Sequence, residues 1–222
     1  MKTLLFFLFS LINVLSIYAK TNPAITAETR LAYYSIDFGE DMPDIQAFAL
    51  ALQGYEKLVL KGKIKNPKLS IIDFNRSANE KRLWVIDMEK KELVYHTLVA
   101  HGRNSGQEFA QSFSNSSGSF QSSLGFYLTA YMYNGKHGNS LKLYGLEENI
   151  NDAAFDRGIV IHGADYVSEQ FIKNHGRLGR SLGCPAVPQN ICNKLVSSIQ
   201  NGSCLFIYKN NDDYLTASDW LE

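Results

Sequence analysis

The sequence lacks an excess of charge of either sign, because 22 Lys and Arg residues balance 22 Asp and Glu residues. Domains that bind nucleic acid are usually basic, so this balance argues against nucleic acid as a partner. Long apolar runs are also scarce: one lies at the start of the chain, and with no second one the remainder should be soluble. Cysteine is rare, with three residues, and in an oxidising compartment an odd number leaves at least one thiol free or paired between chains.

The single apolar run has the pattern of a secretory signal peptide. Met1 and Lys2 form a short basic end, residues 3–18 are almost uncharged, and Ala19 supplies a small residue before polar sequence begins. An uncleaved membrane anchor is the alternative, but the run is shorter than the ~20 residues that a membrane-spanning helix needs. We therefore expect cleavage after residue 19 and export to the periplasm or cell envelope.

The three cysteines differ in their surroundings. Cys192 falls on the apolar stripe of a helix expected over residues 188–201, and Cys204 lies in an apolar segment typical of a strand, so both are expected to be buried. A Cys192–Cys204 disulfide is the alternative for this pair. Cys184 is enclosed by a glycine and a proline and has no periodic apolar partner, which makes it the reactive candidate.

A histidine upstream of Cys184 completes a candidate thiol–imidazole pair. His162 leaves an apolar run and precedes the cysteine by 22 residues. A cysteine is nucleophilic as its thiolate, which forms near neutral pH when an imidazole takes its proton. We predict Cys184 as the nucleophile and His162, at the end of a strand, as the base. His175, in a loop, is the weaker candidate for the base. The backbone N–H groups of Gly183 and Cys184 are the predicted oxyanion donors.

Hydrophobic periodicity divides the rest of the chain into two parts. Residues 20–65 are expected to be helical or irregular, with one helix that starts at Asp41-Met42-Pro43-Asp44 and ends at Gly54. From residue 66 onward, short strands alternate with turns, and a loop rich in Ser, Asn and Gly occupies residues 102–123. These patterns predict a mostly β, sandwich- or barrel-like domain over residues 66–222 with a few helices, and residues 20–65 as an N-terminal extension. The expected strands cover residues 69–74, 83–88, 92–100, 124–131, 141–146, 159–162 and 203–208.

Two motifs, in this order along the chain, carry a resemblance to a known family. Ile161-His162-Gly163 and Arg180-Ser181-Leu182-Gly183-Cys184-Pro185 resemble the signature of the L,D-transpeptidases, the YkuD-like enzymes of bacterial cell walls. The second motif is most similar to the branch of murein L,D-transpeptidase catalytic-domain proteins. The resemblance spans residues 69–208, and its specificity rests on the ordered pair of motifs rather than on either one alone.

The resemblance implies a reaction and a substrate. Enzymes of this family attack the bond between meso-diaminopimelate at position 3 and D-Ala at position 4 of a peptidoglycan stem peptide. Carried over by motif, Cys184 is the nucleophile, His162 the base, and the Gly163 carbonyl the group that orients the imidazole. The implied partners are peptidoglycan stem peptides, and no cofactor or metal is implied. Transfer to an amine of another stem is favoured, and transfer to water, which would make an L,D-carboxypeptidase, is the alternative.

The cysteine motif departs from the commoner family pattern at two positions. Leu182 stands where that pattern has histidine, and Pro185 stands where it has an arginine that could hold a substrate carboxylate. Arginines close to the cysteine in sequence are the natural replacements for that cation. The residues predicted to bind substrate are Arg180, Arg177, Ser181 and Tyr166, with Arg103 as a weaker candidate.

Two hypotheses from other classes of protein are kept as alternatives. A zinc peptidase would use His162, Asp165, His175 and Cys184, although no H-E-x-x-H or C-x-x-C spacing is present. A non-catalytic wall-binding protein descended from the enzymes would need no reactive thiol. Activity that survives EDTA but not iodoacetamide would exclude the zinc peptidase, and labelling of Cys184 by an active-site thiol probe would argue against the binding protein.

Overall fold

The structure, a computed structural model, describes residues 25–136 and 138–221. The predicted signal peptide, residues 1–19, lies outside the described residues. Within them, no helix is both long enough and apolar enough to cross a membrane.

One mixed sheet of eight strands dominates the described part of the chain, which confirms the prediction of a mostly β fold with a few helices. The strands lie side by side in the order β3-β2-β1-β8-β4-β5-β6-β7. Pairing is parallel in β1–β8 and β6–β7 and antiparallel elsewhere. The strand bounds are β1 (Lys68–Asp73), β2 (Leu83–Asp87), β3 (Glu92–Thr97), β4 (Gly125–Gly135), β5 (Gly138–Gly145), β6 (Val160–Ala164), β7 (Ala186–Pro188) and β8 (Cys204–Tyr208).

The two edges of the sheet are joined just beyond β3 and at β7. Ala100, which follows β3, pairs with Ala186, the first residue of β7. The Ala100 N–H donates to the Ala186 carbonyl at 2.8 Å, and the Ala186 N–H donates to the Ala100 carbonyl at 3.3 Å. We call this pair of hydrogen bonds the seam. It makes the sheet barrel-like and fixes the backbone that leads from Cys184 into β7.

Five α-helices accompany the sheet in the described residues. The predicted start of the second helix is confirmed, because the Asp44 carboxylate caps it by accepting hydrogen bonds from the Gln46 N–H at 2.9 Å and the Ala47 N–H at 3.0 Å. The helix expected over residues 188–201 is also present, one to two residues shorter at each end. The helices are α1 (Ala27–Tyr34), α2 (Ile45–Leu60), α3 (Glu169–His175), α4 (Gln189–Ile199) and α5 (Asp212–Ala217).

The prediction that α2 ends at Gly54 is wrong, because the helix continues to Leu60. A β-carbon at Gly54 would lie 2.1 Å from a ring carbon of Phe126 on β4. That ring is held in turn by stacking on Phe206, at 4.3 Å between centroids. Glycine is therefore needed for close packing between helix and sheet, and the packing outweighs its cost of about 1 kcal/mol inside a helix.

Helix α2 and the sheet share one hydrophobic core. Phe48 and Leu50 on α2 are buried in the same cluster as Ile71 on β1 and Phe206 on β8. Part of the segment that the sequence assigned to an N-terminal extension thus packs on the strands of the predicted catalytic domain. The division of the chain at residue 65 stays a prediction.

The substitution Gly54→Ala should destabilise the protein, although alanine is the better helix former. The added methyl group displaces the Phe126 ring, and overpacking of a core costs about 1–3 kcal/mol against a gain of about 1 kcal/mol in helix propensity. We expect urea unfolding to show a free energy of unfolding lower by roughly 1 kcal/mol. Adding Phe126→Leu should recover part of the loss in a double-mutant cycle. A Gly54→Ala variant more stable than wild type would contradict this packing account.

Candidate active site

The parallel pairing of β6 and β7 brings the histidine and cysteine motifs together. His162 on β6 is in register with Ala186 on β7, and the His162 N–H donates to the Pro185 carbonyl at 3.4 Å. Cys184 comes just before β7, so it lies beside the beginning of β6. Its thiol donates to the Gly158 carbonyl at 3.8 Å. The two motifs therefore form one candidate site at the edge of the sheet made by β6 and β7.

The imidazole of His162 is buried and has a fixed tautomer. Its Nδ1 lies 2.9 Å from the Gly163 carbonyl oxygen, which can only accept, so Nδ1 carries a proton and, in the neutral ring, Nε2 is the nitrogen with the lone pair. This is the contact that the family resemblance implies. Gly163 also allows α4 to pack against β6, because a β-carbon there would lie 2.5 Å from Gln189 Oε1 and 3.0 Å from the Cys192 β-carbon.

Cys184 is the partly exposed cysteine of the three, whereas Cys192 and Cys204 are buried, as the sequence predicted. All three are unpaired in the structure. Burial raises the pKa of the Cys184 thiol, and four smaller effects lower it: the backbone N–H groups of Val160 and of Cys184 itself, and the charges of Arg157 and Lys142. Burial raises the pKa of the other two thiols, with no such compensation. Cys184 alone among the three thus has groups around it that favour a thiolate.

The turn that carries Cys184, which we call the cysteine loop (residues 180–185), is held by its own serine. The Ser181 hydroxyl accepts a hydrogen bond from the Gly183 N–H at 3.1 Å and donates to the Cys184 carbonyl at 2.6 Å. Gly183 has a φ of +124°, a conformation that glycine adopts without strain. The predicted oxyanion donor Gly183 N–H is therefore engaged by Ser181 in this structure.

The long loop expected over residues 102–123, here called the serine-rich loop, is bonded to the cysteine loop. The Arg103 N–H donates to the Ser181 carbonyl at 2.8 Å. The Ser122 hydroxyl donates to the Gly183 carbonyl at 3.0 Å and accepts from the Gly102 N–H at 3.0 Å. A β-carbon at Gly102 would lie 2.9 Å from the Gly183 α-carbon, so the two backbones touch. The serine-rich loop is thus part of the wall of the site.

Three predicted cations gather on one side of the cysteine loop. Arg180 donates through Nη1 to the carbonyls of Arg103 and Gly106, each at 2.9 Å. Burial lowers the pKa of the Arg180 guanidinium, and the positive charges of Arg177 and Arg103 lower it further. Within the described residues, none of these three arginines forms an ion pair with a carboxylate. The group is therefore an uncompensated cationic patch, and Arg180 also fixes the serine-rich loop.

Tyr166 and His175 occupy different environments. The half-buried Tyr166 ring packs on Gly179, where a β-carbon would lie 2.4 Å from the Tyr166 β-carbon. Burial, and to a smaller extent the charge of the nearby Cys184 thiolate form, raises the pKa of Tyr166 to about 12. Its hydroxyl is therefore protonated at neutral pH. His175 is exposed in the last turn of α3, with its ring 4.1 Å from that of Phe171. The pairing of β6 with β7 therefore brings His162 to the cysteine motif, whereas His175 lies on a surface helix.

Sequence reasoning missed a buried pair behind the site. The fully buried Arg82 donates through Nη2 to His101 Nδ1 at 2.8 Å and to the Val99 carbonyl at 2.9 Å. Burial and the Arg82 charge lower the pKa of His101 to about 3, so this imidazole is neutral. The His101 carbonyl accepts from the Ser181 N–H at 2.9 Å. The sequence signal was weak, because His101 looked like an ordinary residue at a strand end.

A zinc peptidase would need a cluster of metal-ligating side chains. Across residues 25–136 and 138–221, no group of three or more His, Cys, Asp or Glu side chains is arranged to hold a metal ion. The four residues that a zinc peptidase would use, His162, Asp165, His175 and Cys184, do not form such a group.

Comparison with protein families gives a match over most of the chain. The sequence model of the L,D-transpeptidase catalytic domain family matches residues 40–208. The chain belongs to this family. The match includes both motifs of the L,D-transpeptidase signature, and it begins before helix α2, so the family pattern extends into the segment that sequence analysis treated as an extension. No curated protein matches the chain significantly.

Solved L,D-transpeptidase structures resemble the chain at low sequence identity. One from Mycobacterium smegmatis is 10% identical and covers 64% of this chain and 59% of its own, with a TM-score of 0.41. One from Mycobacterium tuberculosis H37Rv is 9% identical and covers 64% and 58%, with a TM-score of 0.42. One from Xylanimonas cellulosilytica DSM 15894 is 14% identical and covers 82% and 91%, with a TM-score of 0.37. The chain thus spans less than two thirds of the two mycobacterial structures.

Proposed function

We propose that the chain is an exported, cysteine-dependent L,D-transpeptidase that acts on peptidoglycan stem peptides. The observation that carries the proposal is the pairing of β6 with β7, which sets His162, with Nδ1 held by the Gly163 carbonyl, beside the backbone that leads from Cys184. Membership of the L,D-transpeptidase catalytic domain family supports the reaction class. Export is supported by the signal-peptide pattern of residues 1–19.

The reaction begins with a proton transfer, because burial raises the pKa of the Cys184 thiol and keeps it protonated at rest. His162 takes the thiol proton at Nε2, and the thiolate attacks the carbonyl between meso-diaminopimelate and D-Ala. The C–N bond breaks as His162 returns the proton to the D-Ala amine, which leaves a thioester on Cys184. An amine of a second stem then attacks the thioester, gives its proton to His162, and releases the thiolate.

The tetrahedral oxyanion needs N–H donors, which we assign to Gly183 and Cys184. In this structure the Gly183 N–H donates a hydrogen bond to the Ser181 hydroxyl. We propose that this hydroxyl turns away when the oxyanion forms, so that the Gly183 N–H donates its hydrogen bond to the oxyanion of the substrate. Removing one oxyanion donor typically raises the activation barrier by about 2.7–4 kcal/mol. Ser181, which the motif predicts as a substrate-binding residue, is therefore proposed to act by organising the loop that faces the substrate.

Substrate recognition is assigned to the cationic patch and to Tyr166. A stem peptide carries free carboxylates near the scissile bond, and arginine matches a carboxylate with a planar pair of donors. Arg180 and Arg177 are the proposed carboxylate ligands, with Arg103 as a weaker one. Tyr166 keeps its proton at neutral pH and is proposed to donate a hydrogen bond to the peptide.

The substitution Arg180→Lys tests this assignment. Lysine keeps the charge but loses the bidentate donor pair, so we expect kcat/KM to fall by about tenfold, mainly through KM. The thermal midpoint should fall by only a few degrees, about 4 °C at most, because the lysine ammonium can keep a hydrogen bond to one of the two loop carbonyls that Arg180 contacts. Arg76→Lys, at an arginine that is paired with Glu80, is the matched control. Unchanged kinetics would remove Arg180 and direct attention to Arg177 or Arg103.

Product analysis tests the reaction itself. The mature chain is incubated with purified disaccharide-tetrapeptides, and the products are weighed by mass spectrometry. The proposal expects free D-Ala and dimers joined between two diaminopimelate residues. Loss of D-Ala with gain of water and no dimers would make the protein an L,D-carboxypeptidase, and loss of activity in EDTA would favour the zinc peptidase.

A further inference from the structure

Arg157 lies between the 3₁₀ turn over residues 152–154 and strand β6, and its guanidinium is fixed by the serine-rich loop. Nη1 donates to the Ser114 carbonyl at 2.7 Å and to the Ser123 hydroxyl at 2.6 Å. Nη2 donates to the Ser119 hydroxyl at 3.2 Å and to the Gln121 carbonyl at 2.8 Å. All four acceptors are neutral, and no described carboxylate forms an ion pair with Arg157. The guanidinium is held in place while its positive charge stays uncompensated.

The segment over residues 157–160 lies against the cysteine loop and contacts the Cys184 sulfur. A β-carbon at Gly183, the residue before the cysteine, would lie 3.6 Å from Arg157 Nη2. The Cys184 thiol donates to the carbonyl of Gly158, and the Val160 N–H points at the sulfur. The guanidinium of Arg157 therefore lies beside Gly183, the residue before Cys184, and the backbone that follows Arg157 contacts the Cys184 sulfur.

A second cation without a carboxylate partner among the described residues lies on β5, the strand next to β6. Lys142 is in register with Val160 on β6. Its ammonium lies 5.0 Å from the centroid of the Phe155 ring and 5.2 Å from that of Tyr133, and it has no ion pair with a described carboxylate. Aromatic faces attract a cation without cancelling its charge. The Lys142 charge, like that of Arg157, acts on Cys184.

We propose that two cations, Arg157 and Lys142, which we call the cation pair, each stabilise the Cys184 thiolate. Together they set the pH at which the nucleophile is generated. The inference rests on the proposed role of Cys184. It assigns the positive charge near the nucleophile to two residues distant in sequence, in a chain that has Pro185 where the commoner family motif has arginine. Among the described residues, Tyr166 is a further titratable group that interacts with Cys184, and it is uncharged at neutral pH, while His162 on β6 is the proposed base.

The expected direction follows from electrostatics. Burial favours the neutral thiol, and a cation about 4–6 Å away favours the thiolate by lowering the pKa by roughly 1–3. Removing one cation destabilises the thiolate, so the titration of the thiol should move to higher pH. Arg157 should matter more than Lys142, because its guanidinium is rigidly held whereas the Lys142 ammonium rests on aromatic rings.

The test is the pH dependence of iodoacetamide alkylation of Cys184 in the mature chain, followed by mass spectrometry of the Cys184 peptide. Arg157→Gln should move the apparent pKa of alkylation upward by about one pH unit and slow alkylation at pH 7 about tenfold. Lys142→Gln should move it in the same direction by less. Arg157→Lys keeps the charge and should stay close to wild type. Arg76→Gln, at a cation paired with Glu80, should leave the profile unchanged.

Loss of the loop contacts is separated from loss of charge by the choice of variants. Arg157→Gln removes hydrogen bonds as well as charge. Lys142→Gln removes an ammonium group that contacts two aromatic rings, so we expect this variant to fold normally. Unchanged alkylation profiles in both glutamine variants would overturn the cation pair. If Arg157→Lys shifted the profile as far as Arg157→Gln, the loop contacts rather than the charge would be responsible, and the proposal would again be wrong. Failure of the proposed function is seen separately, as wild-type protein that forms no product from muropeptides.

Discussion

Replacing Cys184 by serine should abolish turnover of muropeptides while the protein stays folded. A hydroxyl has a far higher pKa than a thiol, so His162 cannot generate a comparable nucleophile from it, and we expect a loss of at least about a thousandfold. Cys184 is partly exposed, so the free energy of unfolding should change by about 1 kcal/mol or less. Mass analysis of the products and urea unfolding of the same preparation measure the two quantities.

The other cysteines supply the control for this prediction. Cys204→Ser places a hydroxyl in the fully buried strand β8, which should cost about 1–3 kcal/mol of stability without affecting the chemistry of the folded protein. Cys192→Ser should cost less, because the Asn139 carbonyl, 3.5 Å from the Cys192 sulfur, can accept a hydrogen bond from the new hydroxyl. Near-native turnover by Cys184→Ser would show that the nucleophile is elsewhere.

Replacing His162 by alanine should slow turnover by about a hundredfold to ten-thousandfold, the usual contribution of a general base. Alkylation of Cys184 should slow as well, since the thiol loses the imidazole that we propose takes its proton. His175→Ala is the matched histidine control. Because His175 is exposed on α3, this variant should keep both rates within about twofold of wild type.

Rate constants for product formation and for iodoacetamide labelling, measured over a range of pH, decide between the two histidines. A shifted thiol pKa in the His175 variant alone would reverse the assignment of the base. Loss of turnover in His162→Ala with unchanged alkylation would mean that His162 acts after the thiolate has formed.

The parts of the fold set by local pattern were predictable from the sequence. The start of α2 at Asp44, helix α4 and strand β8 follow from a capping residue and from hydrophobic periodicity. The end of α2 was not predictable, because Gly54 reads as a stop locally and becomes a packing position only when the Phe126 ring lies against it. The closure of the sheet at the seam was equally hidden, since it pairs two alanines far apart in sequence.

The candidate site divides in the same way. His162 and Cys184 could be proposed from the sequence because each lies in a short motif whose residues are neighbours in sequence. Arg157 was missed because nothing near it in sequence indicates chemistry, and its approach to Gly183 depends on the folding of the serine-rich loop. The sequence predicted the replacement cation among the arginines nearest to Cys184, and the structure shows Arg180 bonded to that same loop.

The seam also bears on how copies of the chain behave when crowded. An unpaired strand at the end of a sheet is a template on which another chain can add a strand, which leads to aggregation. Here β3 is flanked at its start by Asp37, whose N–H and carbonyl are bonded to Lys91 and Leu93, and beyond its end by the seam. The opposite end strand, β7, has three residues and ends in a proline. Within the described residues, neither end of the sheet order offers a long free edge, so we expect edge-to-edge polymerisation to be disfavoured by the same hydrogen bonds that fix the backbone next to Cys184.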